Sequence, residues 1–178
     1  MAEYKRFISY MYEYKNGNKG NNVGYAKIEA KNDICKFSIN VKNKTLLNKK
    51  SKVCLFYRGK NDNEKKNINL IKVSDLIIEQ QEYSNSYITD TNNVFDSKVQ
   101  LENIAGIILI ADRENYIGTE WDDNGIDASK IRMDNIDGLK NINNGKKIIL
   151  PISYESFEAQ FFRATKLLLT LKKRKQKK

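Results

Sequence analysis

Four carboxylates fall within the eight residues from Glu120 to Asp127: Glu120, Asp122, Asp123 and Asp127, gathered around Gly125. Clustered hard oxygens of this kind are what a calcium ion takes as ligands. An EF-hand register fails, because placing Gly125 at the sixth loop position puts Ile131 where a bidentate glutamate is required. A solvated turn rich in Asp and Asn accounts for the same residues. A second grouping is aromatic. Tyr10, Tyr12 and Tyr14 alternate along one face of an extended segment, and Trp121 stands at the end of another, beside two aspartates. Such rings could stack on sugars or bases. The competing reading packs them against cross-strand neighbours, with Trp121 as a core anchor.

The most concentrated charge is Lys172-Lys173-Arg174-Lys175-Gln176-Lys177-Lys178, six cations in seven residues. It follows a segment in which Phe157, Phe161, Ala164, Leu168 and Leu171 share one face at 100° per residue, with Arg163, Lys166 and Lys173 opposite. An amphipathic helix followed by cations can bind anionic lipid or meet RNA through its phosphates. It can equally be a solubilising end, with the cations facing the carbonyl end of the helix dipole.

Several chemistries are excluded. The chain contains no histidine. That removes imidazole general bases, Ser-His and Cys-His dyads, and every metal site that needs imidazole. No phosphate loop or nucleophile elbow occurs, and the expectation is a non-catalytic protein without a cofactor. Cys35 and Cys54 form no CxxC pair. Free buried thiols in a cytosolic protein are expected, with a bridge between their strands left open. The start, Met-Ala-Glu-Tyr-Lys-Arg, is polar with no apolar run behind it, and no stretch approaches a membrane span, so a cytoplasmic location is expected.

The net charge of +10 is unevenly placed. Residues 1–50 carry 11 basic and 4 acidic groups, residues 101–150 carry 6 and 9, and residues 151–178 carry 8 and 2. The chain holds 26 Lys against 6 Arg, together with 22 Asn, 21 Ile and a single proline. A/T-rich codons produce that bias with no function behind it. The scarcity of the guanidinium fork argues against dedicated nucleic-acid readout.

The elements that must position these groups alternate with period 2. Extended segments are expected at Phe7–Tyr14, Val23–Ala30, Ile34–Val41, Val53–Arg58, Ile68–Val73, Leu76–Tyr83, Ile104–Ala111 and Tyr116–Trp121. The dipeptide Asn16-Gly17 signals a hairpin, Asn32-Asp33 a second turn, and Asp112–Asn115 a third. A loop carrying Lys42, Lys44, Lys49, Lys50 and Lys52 follows the third strand, and Ser84–Val99 is expected to be irregular. Asp127–Met133 is read as one or two helical turns. The pattern predicts an all-β fold, an antiparallel sandwich or jelly roll over residues 1–140. A linker at 141–152 and an amphipathic α-helix with a basic tail at 153–178 would follow.

Arg6 to Tyr14, Asn22-Val23-Gly24-Tyr25-Ala26-Lys27, Val53 to Arg58, Ile104-Ala105-Gly106-Ile107-Ile108 and Thr119-Glu120-Trp121-Asp122-Asp123 together resemble a domain family of unknown function from clostridia and related Firmicutes. The resemblance covers roughly residues 5–130 and implies a β-rich N-terminal module. Larger members carry a second C-terminal domain, in whose place this sequence has the short linker and basic helix. No catalytic residue is carried over.

The expected function is therefore an interaction module that binds a protein partner or self-associates. Phe157, Phe161, Leu168 and Leu171, with Lys172, Lys173, Arg174 and Lys175, would supply a second contact element. An anionic membrane or RNA, bound through the tail, is the alternative, and a carbohydrate on Tyr10, Tyr12, Tyr14 and Trp121 the third. No small-molecule substrate is indicated.

Overall fold

In the computed structural model, residues 4–59 and 67–133 are described. Among them, nine strands form one curled sheet: β1 (Tyr4–Lys15), β2 (Asn18–Lys31), β3 (Ile34–Lys42), β4 (Lys50–Arg58), β5 (Ile68–Ile77), β6 (Glu82–Asp90), β7 (Ile104–Ile110), β8 (Asn115–Glu120) and β9 (Ile131–Arg132). Their order is β6-β3-β2-β1-β8-β7-β4-β5-β9. All neighbours are antiparallel except β5 and the two-residue β9. The all-β architecture is as expected. The expected linker and helix lie outside the described residues.

The N-terminal meander follows from its turns. Asn16 and Gly17 take φ of 50° and 77°, the paired left-handed conformation of a two-residue hairpin loop, and close Lys15 onto Asn18. Asn32, at φ 55°, turns β2 into β3. The C-terminal hairpin forms where Asp112 Oδ1 accepts from the backbone N–H of Glu114 and Asn115.

What would be two sheets in a sandwich is joined here by a short seam. β1 pairs with β8 only over Tyr12–Lys15, against Gly118–Asn115. Curling then brings residues from both sides of the seam into one core. Met11, Ala26, Ile28, Phe37, Ile39 and Val41 meet Val53, Leu55, Ile71, Ile107, Leu109 and Ile117. A second cluster lies on the outer face of the C-terminal half, where Cys54, Phe56, Ile68, Leu70, Ile108 and Tyr116 are covered by Ile126 and Ile131. Strand β7 is therefore buried on both faces, which explains its unbroken apolar run. Gly106 does not interrupt that run. It faces Phe56 across the β4–β7 pair, and a Cβ there would lie 2.6 Å from the Phe56 ring and 2.0 Å from the Thr119 carbonyl oxygen.

One expectation is corrected and two are narrowed. The strand expected at Leu76–Tyr83 does not form as one element: β5 runs on to Ile77, strand pairing stops at 79–81, and β6 takes up 84–90 of the stretch read as irregular, while 91–99 holds bends and one 3-10 turn. Of the lysine-rich segment, Lys42, Lys50 and Lys52 lie in the flanking strands, and 43–49, with Lys44 and Lys49, remains as the expected loop. Leu46, fully buried, pins the remainder while Asn48 N–H donates to Ile78 O at 2.8 Å. Asp127–Met133 gives the shorter of the expected forms, a single 3-10 turn at Ala128–Lys130, followed by β9.

Candidate functional site

The seam creates the first candidate. N-terminal to Tyr12, β1 parts from β8 while staying paired to β2. Ser9 Oγ and Thr119 Oγ1, 2.5 Å apart, form a hydrogen bond across the gap. Beyond it a cleft of about 410 Å³ opens, floored by Phe7, Ile28, Ala30, Ile104 and Trp121 and rimmed by Lys5, Glu102, Glu120 and Asp123. Trp121 is a core residue and a cleft residue at once. Its indole meets Phe7 edge-on at 5.2 Å and lies parallel to Phe37 at 6.5 Å, and its backbone N–H donates to Ala105 O at 2.7 Å. Its Nε1–H is buried and finds no acceptor among the described residues, so ring contacts alone hold the indole.

The acidic cluster disperses. Glu120 pairs with Lys19 at 3.3 Å. Asp122 accepts from Arg58 Nε and Nη2 at 2.5 and 3.1 Å, and Arg58 Nη2 also donates to Gly125 O at 2.6 Å, which pins the turn. Burial pushes the Asp122 carboxyl up, but the hydrogen bonds and charge of Arg58 together with the Asn124 hydrogen bonds hold it below the usual carboxylate range. Asp127 caps the 3-10 turn through Ser129 N–H and pairs with Lys130 at 2.8 Å; Lys130 and Ser129 hold it at about 2. Among the described residues, no three carboxylates or thiols converge on a metal-sized site.

The tyrosine stripe is graded rather than flat. Tyr14 is buried and stacks on Tyr116 at 4.6 Å; burial, then the nearby Glu120 carboxylate, raises its pKa. Tyr12 is half-buried under the Lys19 ammonium, 4.1 Å from the ring centroid. Tyr10 is 62% exposed. The gradient arises because Ile126, Ala128 and Ile131 cover the outer face of the C-terminal half. Trp121 packs on the other core cluster, so it does not join the tyrosines in one surface.

Tyr10 instead gains a partner from β2. The cross-strand pairs Arg6–Glu29, Ile8–Lys27 and Tyr10–Tyr25 set Ile8 (53% exposed) and Tyr25 (41%) beside it, forming a second candidate surface. Glu29 is buried beneath Arg6 (3.7 Å) and Lys27 (3.0 Å). Tyr25 was legible in the alternation of β2, where it falls on the polar side. What hid it is that only pairing with β1 brings it opposite Tyr10.

Cys35 lies in the inner cluster and Cys54 in the outer one, both free, and burial pushes both thiols up to about 12. Phe157, Phe161, Leu168, Leu171, Lys172, Lys173, Arg174 and Lys175 lie outside the described residues. Among the described residues, no helix is long and apolar enough to cross a membrane. Comparisons with protein-family models, curated proteins and solved structures match nothing.

Proposed function

We propose that the chain is a non-catalytic cytoplasmic interaction module of sandwich-like layering, which docks a protein partner through the open outer face of β1 and β2. The observation that carries this is the exposed group Ile8, Tyr10 and Tyr25, flanked by Arg6 and Lys27. Tyrosine and arginine supply interface area with a polar tip, and they dominate contact energies. The flanking cations fit a partner with an acidic rim around an apolar centre, whereas a second copy of the same face would bring like charges together. Aliphatic Ile8 in the middle offers no surface on which a base could stack, which favours protein over RNA. The resemblance to the clostridial β-rich family fits this reading and remains part of the proposal.

A photo-crosslinking residue at position 10 in the native cell tests it, with position 77 as control because Ile77 is also exposed. The expected result is a protein adduct specific to position 10. With the purified partner, Ile8→Ala and Tyr10→Ala should then each weaken binding about tenfold, as central contacts do. Equal adducts from both positions, RNA adducts, or unchanged affinity in the double variant would overturn the reading. The sequence of the tail motivates a second proposal, anionic-membrane or RNA binding through Lys172–Lys178. Unchanged retention on anionic liposomes or on RNA after deleting Lys172–Lys178 rejects it.

A further inference from the structure

We propose that the cleft between β1 and the end of β8 binds a small organic cation, an ammonium group carried on an apolar body. Three properties of the cleft favour this ligand over a neutral or anionic one. The first is charge. Glu102, Glu120 and Asp123 face one cation, Lys5, and while Glu120 is partly neutralised by Lys19, Glu102 and Asp123 make no ion pair or hydrogen bond through their carboxylates among the described residues. The second is the floor. Phe7 and Trp121 present aromatic rings in an edge-on pair, and rings of this kind attract cations through their quadrupoles. Lys5 already shows the preference, its ammonium standing 6.0 Å from the Phe7 centroid. The third is volume and origin. About 410 Å³ suits a small ligand, and the space opens where two strands part, with the turn at Leu101–Asn103 and the bend at 121–123 completing its wall.

Within this geometry the apolar body rests on Phe7, Ile28, Ala30 and Ile104, and the ammonium lies towards Glu102 and Asp123. Lys5 is a competitor for the same rings. Its removal should therefore tighten binding, an outcome that generic attraction to an acidic patch also gives but that a bound anion could not.

Trp121 is the single tryptophan of the chain, so intrinsic fluorescence reports on the cleft directly. Full-length protein is titrated at low salt with phenethylammonium and with spermidine, and with glucose and phenylacetate as neutral and anionic controls. Saturable change with at least one of the two amines and none with the controls is expected. Binding should fall several-fold between about 20 and 200 mM salt, as screening requires. Glu102→Gln and Asp123→Asn should each weaken binding about fivefold, and Lys5→Gln should strengthen it, with circular dichroism showing each variant folded. Amide chemical-shift mapping provides the second readout and should place the changes at residues 5–9, 102–104 and 119–123. No saturation with either amine, equal saturation by glucose or phenylacetate, an unaffected Glu102→Gln/Asp123→Asn double variant, or shifts scattered outside the cleft would each overturn the proposal.

Discussion

Glu13 accepts hydrogen bonds from Asn43 Nδ2 at 3.0 Å, Thr45 Oγ1 at 2.8 Å and Asn21 Nδ2 at 3.3 Å, so one carboxylate ties β1 to β2 and to the connection after β3. These donors, Asn43 and Thr45 foremost, hold its pKa at about 2 against the usual 4.5. The folded-state pKa is depressed, so the contribution is present above pH 4.5 and is lost as pH falls towards 2. After allowance for solvent screening, that contribution is on the order of 1–2 kcal/mol. Urea unfolding should accordingly show Glu13→Gln less stable than wild type at pH 7, with the gap closing near pH 2. A gap independent of pH would mean that the variant loses packing and not charge. The thiols give a second residue-scale prediction. With pKa values near 12 and no solvent access, Cys35 and Cys54 should resist a thiol reagent for about an hour at pH 8, and both should react within about a minute in denaturant, since only the accessible thiolate attacks. Fewer than two reactive thiols in denaturant would indicate a bridge, which their placement in separate clusters opposes.

At the scale of elements, Gly106 is a position with little tolerance. Its missing Cβ makes room for the Phe56 ring and the Thr119 carbonyl at the crossing of β4, β7 and β8. Gly106→Ala should cost about 3 kcal/mol by overpacking, measured as a lowered urea midpoint with an unchanged slope. How much of the architecture the sequence reveals depends on how each strand is solvated. β1, β2 and β3 alternate in sequence because one face packs on the core and the other is more open over much of its length, and Asn16-Gly17 marks their first turn without ambiguity. β6 reads as irregular because its residues are Ser, Asn, Thr and Tyr. Among the described residues it is a sheet-edge strand, paired only to β3, and its Tyr83 and Tyr87 hydroxyls satisfy each other at 2.5 Å, so it needs few aliphatic residues to be stable. The cleft leaves even less trace. Its lining comes from residues 5–9, 28–30, 101–104 and 120–123, and only the β1–β8 pairing brings them together. Trp121 was legible as a core anchor, and its place in the cleft was not.

The whole molecule depends on that same pairing, because β1–β8 joins the first strand to the eighth across about a hundred residues of chain, the costliest loop to close and the last to be repaid. The β1–β2 hairpin is the opposite case, closed by a two-residue turn. The two should respond differently in folding kinetics. Gly17→Ala places a side chain at φ 77° in the turn, and its effect of about 1 kcal/mol should appear mainly as slower refolding, since local hairpins form early. Tyr14→Ala removes the ring stacked on Tyr116 across the seam, and its effect of about 3 kcal/mol should appear mainly as faster unfolding. Stopped-flow chevrons of the two variants separate these limbs. Should Tyr14→Ala slow refolding by the full amount of its destabilisation, the seam would belong to the folding nucleus. The sheet would then close before its N-terminal meander is complete, and the cleft beside the seam would form with the nucleus instead of after it.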